Sequence, residues 1–457
     1  MSDSLTITKL FILVIENDII KLVEDVMLET KFNANEFMVS GFFAIIIGLF
    51  TIIFKERFFL PLLAYVGILL VFKGIIEQIK NMTRRKIKKR SFIFIFIGLI
   101  IYYIGYFYKP IGITIALSIY FFIFGVIQFI NFCLYVKNHL RGSTIYFIHS
   151  FIYFSFVLLL MIRHVEHLKY VCVIIGVIII VYGIKNIIFS LSQLFPKKSR
   201  QYLIKAQRFP VPDFITIFYP TELTNQIYKL IKHNETDNYN IDNKKTDLQI
   251  YLHLTVNGFL QSFGHMDIGF EGKIISFANY DRHSRKFLDL IGDGVMVVAN
   301  QEKYINYNIN IRNRYIIEFG LVLTDEQKEK IRSKIKYLYN NNNIKYLSDK
   351  EKSLKGEILN REFHDMSSEI YMYADGDFRK FTSGVNRIFS ITHNNCTFFM
   401  QQILKEIGHR IYSINGLWTP GAFYEYFNCL YKLNYTDVIS RRIYVKGSEF
   451  KCQNYQK

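Results

Sequence analysis

The pattern of apolar and polar positions changes near residue 195. Before it, six stretches dominated by Ile, Leu, Phe and Tyr follow one another at 37–54, 58–76, 91–108, 111–135, 144–162 and 170–195. About 20 apolar residues in a helix cross the hydrocarbon core of a bilayer, so these runs predict six membrane-spanning helices over 35–196. Residues 5–30 are also apolar, but Glu16, Asp18, Glu24 and Asp25 interrupt them. That predicts an amphipathic helix within 1–34 lying at the membrane surface, with no cleavable signal peptide. Residues 197–246 read as a linker and the start of a soluble domain, which fills 247–457.

In the soluble part, 248–254 alternates as a half-buried strand does, and 266–270, 274–277, 295–299 and 315–323 are further strand candidates. Glu271-Gly272 predicts a hairpin turn. Thr324, with Gln327 three residues later, predicts a capped helix start. The Asn- and Lys-rich stretch 339–355 reads as an exposed loop. A helix running from about Thr397 to Gly408 would bury Phe399, Met400, Ile403, Leu404 and Ile407 on one face. Strands followed by a mostly helical end predict an α+β domain.

The six runs carry an internal repeat. Gly74, Gly125 and Gly183 each lie late in the second helix of a pair, roughly fifty to sixty residues apart. Pro61 and Pro110 begin the second helix of the first two pairs, where a missing N–H costs least. This punctuation resembles that of the HdeD-like bacterial membrane proteins, built from three helix hairpins. The resemblance covers about residues 35–195 and implies an all-α six-helix transmembrane bundle in a bacterial inner membrane. Small residues such as Gly41, Gly48, Gly67, Gly98, Gly105 and Gly176 let helices approach closely, within the bundle or between copies of it.

The net charge of +18 raises the question of nucleic acid. The densest basic cluster, in the loop 77–90, abuts an apolar run, so it reads as a topology signal and a contact for anionic lipid. Lys137, Arg141, Lys197, Lys198 and Arg200 follow the fourth and sixth runs, and the alternate loops carry fewer cations. The positive-inside rule then puts both termini in the cytoplasm of a multi-pass membrane protein. Five cysteines without framework spacing fit that reducing side. No ligand cluster for a metal and no cofactor motif is visible.

Candidate chemistry lies in the soluble part. Cys396 falls at a predicted helix start, where the positive end of the macrodipole favours a thiolate. His265 falls on a predicted strand far upstream, and an imidazole can take the thiol proton. Gly264-His265-Met266-Asp267-Ile268, the segment Glu271 to Asp281, Leu323 to Gln327, Asn395 to Phe399 and Thr419-Pro420-Gly421 together resemble the circularly permuted NlpC-type papain-like hydrolases, which include YiiX-like and lecithin–retinol acyltransferase-like branches. In that group the strand histidine precedes the cysteine. The resemblance covers about residues 247–430 and implies Cys396 as nucleophile and His265 as general base. The third, orienting position falls on the strand paired with that of His265. A two-residue turn at Glu271-Gly272 would set His265 against Ala278 with Ser276 diagonal to it, and a three-residue turn would set it against Asn279. Asn279 is preferred, with Ser276 and His283 left open. His364, His393 and His409 read as surface residues, with a place at the border of the cleft as the alternative for His393, which lies near Cys396.

The whole chain therefore reads as multidomain. A transmembrane bundle precedes a permuted papain-like α+β domain, forming a membrane-anchored cysteine hydrolase or acyltransferase. Its expected partners are the lipid bilayer and an acyl-containing substrate (lipid, peptide or acylated protein), and no nucleic acid. The competing reading is a non-catalytic stress or scaffold protein whose papain-like domain is a degenerate binding module.

Overall fold

The apolar runs of the first part of the chain form helices. The computed structural model describes residues 34–82, 89–106, 109–137, 142–162, 164–191, 216, 219–232, 245–255, 264–287, 289–357, 363–411, 418–432, 436–448 and 450. The amphipathic helix expected within 1–34 lies outside them but for its last residue, as does most of the expected linker. Two compact units divide between Phe195 and Pro196.

In the first unit, α1 (Ala34–Phe54), α2 (Glu56–Met82), α3 (Lys89–Tyr106), α4 (Lys109–Lys137), α5 (Ser143–Ile162) and α6 (His164–Leu191) follow in sequence. Five of the six are long and apolar enough to cross a membrane; the apolar stretch of α3, Phe94–Tyr103, is shorter. The burial pattern inverts that of a water-soluble bundle. Phe42, Phe43, Ile46, Leu49 and Ile53 of α1 are exposed, whereas Thr51, Gln128, Asn131, Ser150 and Asn186 are buried. Apolar side chains outward and polar side chains inward suit a hydrocarbon surround, where an exposed polar group lacks a hydrogen-bond partner. The chain is a membrane protein.

The hairpin picture needs one correction. The closest packing is between α1 and α6, α2 and α3, and α4 and α5, and the expected partners α1 and α2 touch far less. The reason is where the glycines sit. A Cβ on Gly48 would lie 2.7 Å from the Gly176 carbonyl oxygen, and one on Gly176 2.7 Å from that of Gly48. Gly41 and Gly183 form a second reciprocal pair one turn-pair along, and Gly67 and Gly98 join α2 to α3 in the same way. Bare backbone meets bare backbone there. In the third tight pair, Ser150 Oγ of α5 donates to the Gly125 carbonyl of α4 at 3.0 Å.

The second unit opens with α7 (Tyr219–Lys232), then β1 (Leu248–Leu254), β2 (His265–Phe270), β3 (Lys273–Ala278), β4 (Ile291–Asp293), β5 (Val295–Asn300), α8 (Gln301–Asn306) and β6 (Tyr315–Leu321). It continues through α9 (Asp325–Asn340), β7 (Asn343–Tyr346), α10 (Asp349–Leu354), α11 (Met366–Ala374), β8 (Asp377–Phe381), β9 (Ile388–Ser390), α12 (Cys396–Leu404), α13 (Pro420–Lys432) and β10 (Val438–Tyr444). Eight strands make an antiparallel sheet in the order β10-β6-β1-β2-β3-β5-β8-β7, and β4 pairs with β9 separately.

The sheet is covered on both faces, which is why its central strands are buried at almost every position rather than at alternate ones. On one face Phe277 stacks on Phe399 of α12 with ring centroids 4.6 Å apart, and Phe319 meets Tyr424 and Phe427 of α13. On the other, Tyr251, Ile274 and Val297 pack with Tyr304, Ile305 and Ile370 from α8 and α11. The predicted capping box at Thr324 and Gln327 is formed. The stretch expected as a loop over 339–355 instead holds the end of α9, then β7 and α10, the last capped by Ser348 with Glu351. Its polar composition reflects an edge strand and a short surface helix, which need few apolar residues.

Candidate functional site

The site is built from the register of β1, β2 and β3. Glu271 and Gly272 both have positive φ, 50° and 73°, and close a two-residue hairpin in which Phe270 pairs with Lys273 and Ile268 with Ile275. Positive φ at both central residues is the turn whose twist matches its strands. Side chains alternate across a strand, so His265, Asp267 and Ser276 share one sheet face. On the other side of β2, Tyr251 stands opposite Asp267 and His253 opposite His265. Gly264, with φ of 79°, holds the backbone at the entry to β2 in a conformation that side-chain-bearing residues rarely adopt.

Asp267 is fully buried with two imidazoles and a phenol around it, and the phenol forms the hydrogen bond. His265 Nε2 lies 2.8 Å from its Oδ1, His253 Nε2 lies 2.9 Å from its Oδ2, and the Tyr304 hydroxyl donates to Oδ2 at 3.0 Å. The same His265 nitrogen lies 2.9 Å from Ser276 Oγ, which in turn is 2.7 Å from the Tyr280 hydroxyl. Cys396 lies close enough to the His265 ring to act on its charge.

The electrostatics follow from this crowding. Burial by itself would push the His265 imidazole down. The Asp267 carboxylate and the Cys396 thiol outweigh it, so its pKa is pushed up to about 10. Burial would likewise raise the Asp267 carboxyl, but the two imidazoles hold it well below the usual carboxylate range. For His253 burial prevails over the pull of Asp267, and its pKa is lowered.

Cys396 opens α12 as its first residue. Asn395 caps the helix: its Oδ1 accepts from Phe398 N at 3.1 Å and from Thr397 Oγ1 at 2.5 Å. Its Nδ2 donates to the carbonyls of Ile391 and Trp418 at 2.9 and 2.6 Å, tying the helix start to two flanking segments. Such a cap is worth about 1 kcal/mol, and here it also fixes where the thiol sits. The first N–H groups of a helix have no intrahelical partner, so the start of α12 offers backbone donors next to the sulfur. Trp418 and Phe398 have ring centroids 6.1 Å apart, and Thr419 caps α13 through its Oγ1 to Ala422 N at 3.2 Å. The Thr-Pro-Gly stretch is thus a helix start.

The structure brings Cys396 and His265 together, and with them Ser276, but not Asn279. The Asn279 amide donates to the Asp289 carbonyl at 2.8 Å, and its own carbonyl accepts from Arg285 Nε. The physical reason is the two-residue turn: alternation along β3 sends Asn279 to the face away from Asp267. His283 is exposed, 3.8 Å from Asp349. The sequence reading missed Asp267 and His253 as parts of the site. Asp267 is two residues from His265 on one strand, a spacing that puts both on one face, and His253 lies on the predicted strand 248–254. His393 and His409 are buried, not surface residues; His409 is held between Tyr426 and Asp437.

A cleft of about 580 Å³ opens at the other end of β2, lined by Phe270, Lys273, Arg332, Tyr339 and Asp377 among others. In its lining Arg332 pairs with Glu271, and Asp377 pairs with Arg379 beside it. No His/Cys/Asp/Glu group suited to a metal ion occurs among the described residues.

Among known proteins, no curated protein and no solved structure matches the chain. A family model described as a short repeat of unknown function, DUF308, matches residues 39–108, from α1 to just past α3, in keeping with a membrane domain.

Proposed function

We propose that the second unit is a papain-like cysteine hydrolase or acyltransferase, carried by the membrane unit. The observation that supports it is a helix-start cysteine close to a strand imidazole that itself lies 2.8 Å from a buried carboxylate. Asp267 fixes the ring and stabilises its charged form. His265 takes the Cys396 proton, and the sulfur attacks an acyl carbon. The oxyanion forms at the start of α12, where backbone N–H groups donate to it. Protonation of the leaving group by His265 gives an acyl-enzyme, which water or another acceptor resolves.

With both termini cytoplasmic, the substrate is a lipid ester, an acylated protein or a peptide near the inner leaflet. Peptidoglycan, which lies outside, is disfavoured. A membrane-impermeant, thiol-directed acyl probe is expected to label wild-type chain in inside-out vesicles only, and Cys396→Ala should lose that label. Equal labelling of wild type and variant would sink the nucleophile, and labelling of right-side-out vesicles would reverse the orientation.

One observation favours the non-catalytic reading, a degenerate binding module on a membrane scaffold: Cys396 is only 5% exposed. The two readings part on thiol reactivity. A binding module has no need of a reactive sulfur, and a nucleophile does.

A further inference from the structure

The cleft at the hairpin end of β2 and β3 takes its lining from one face of the sheet and one side of α9. Lys273 and Ile275 lie two apart on β3, which puts them on the same face, and Ile275 pairs with Val298 of β5. Arg332, Ile335, Lys336 and Tyr339 recur at three- and four-residue spacing, so they share one side of the helix. The apolar part of the lining is Phe270, Ile275, Val298 and Ile335.

The charges around this apolar lining do not cancel. Each of its three carboxylates already holds a cation: Glu271 pairs with Arg332, Asp375 with Lys303 at 2.7 Å and Asp377 with Arg379 at 3.3 Å. The Tyr339 hydroxyl also donates to Asp377. Lys273 and Lys336 have no ion pair and no side-chain hydrogen bond among the described residues. Two ammonium groups, one from the sheet and one from the helix, are left over. A single exposed lysine needs no partner, since water solvates it. Two of them bordering one concavity are different, because low-dielectric walls focus a field of one sign onto whatever enters. The volume of about 580 Å³ falls within the range of roughly 300–1,000 Å³ found for small-molecule sites, which join a mostly apolar lining to a few polar groups.

These features select the ligand. A cation finds every carboxylate engaged. A neutral hydrocarbon would strip water from two ammonium groups and give them no partner. A bare inorganic anion would leave the apolar lining unused. We propose that the cleft is a binding site for a small aliphatic anion. Its head, a carboxylate or a phosphate monoester, lies between Lys273 and Lys336, and its hydrocarbon part packs on Ile275, Val298 and Ile335. The site is separate from the cysteine site, because Phe270 and His265 stand at opposite ends of β2, about 17 Å apart along the strand. The proposal holds whether or not Cys396 is a nucleophile.

The test is a footprint of lysine acetylation on the detergent-solubilised full chain, read peptide by peptide by mass spectrometry. Hexanoate and hexyl phosphate are the probes. Hexanol carries the hydrocarbon without the charge, and inorganic phosphate the charge without the hydrocarbon. Acetylation of Lys273 and Lys336 is expected to slow saturably, by about threefold where a probe reaches about twice its Kd, because occupancy follows mass action. The more protective probe identifies the head group. Lys286, exposed and outside the cleft, should keep its rate. Hexanol and inorganic phosphate should protect neither cleft lysine. Lys336→Gln, a change at an exposed position that the fold tolerates, should remove the protection of Lys273. Absence of protection by both probes overturns the proposal. So does equal protection by hexanol or by inorganic phosphate, which would reduce the site to one half of the ligand. Slowing of Lys286 to the same extent, or full protection of Lys273 in the Lys336→Gln chain, overturns it as well.

Discussion

At the scale of single residues, the site turns on Asp267. A buried carboxylate that loses its charge or its partners is costly, because each donor around it was desolvated to reach it. Asp267→Asn is expected to cut turnover of an acyl substrate by a factor of about 100 or more, since the amide neither stabilises the imidazolium nor fixes its tautomer. Asn279→Ala should leave turnover within about twofold, because that side chain serves the Asp289 loop. Kinetics on the two variants side by side check both the assignment and the correction; equal losses would return Asn279 to the site. The helix start at Cys396 and the strand of His265 were legible in the sequence. Asp267 was in plain view beside His265, but its role depended on β1 and α8 closing over it.

At the scale of elements, the turn at Glu271-Gly272 and the glycine-lined helices carry the argument. A turn of two residues fixes every pairing along β2 and β3, so one residue more would have exchanged Ser276 for Asn279. In the bundle, Gly48 and Gly176 set the distance between α1 and α6. Gly48→Leu would drive a side chain into backbone and should cost roughly 1–3 kcal/mol or more. Leu49→Ile, on an exposed position, should cost little. Thermal unfolding of the detergent-solubilised chain checks this: a midpoint unchanged in Gly48→Leu would mean the two helices do not pack as described. The glycine spacing was readable from sequence, but the pairing of α1 with α6 was not, because a repeat of hairpins does not say which faces meet.

For the molecule as a whole, the buried cluster predicts how stability depends on pH. The pKa of His265 is raised in the fold, so its contribution is fully present below about 6.5, its unfolded value, and is lost as pH rises from there toward about 10. The pKa of His253 is lowered, so the unfolded chain takes up a proton that the fold refuses once pH falls below about 6.5. Asp267, held low, adds a further loss below about 4 as it is protonated more readily in the unfolded chain. The second unit should therefore be most stable near pH 6 to 7 and weaken on both sides. Urea titration followed by the fluorescence of Trp418, the one tryptophan in the chain, reads it directly. His265→Gln should flatten the alkaline side; an unchanged alkaline slope in that variant would remove His265 as its source.

The sequence by itself determined the membrane character of the first part, most strands of the second and the capped start of α9. These rest on local signals: runs long enough for a bilayer, alternation, caps and turn residues. Only the tertiary structure decided that α1 closes against α6, that β7 and α10 form in a polar stretch, and that a shared carboxylate stands behind the histidine. Each of those depends on which faces are brought together across long loops. A chain's local pattern fixes the character of a face, and its partner is fixed only when the other elements compete to cover it.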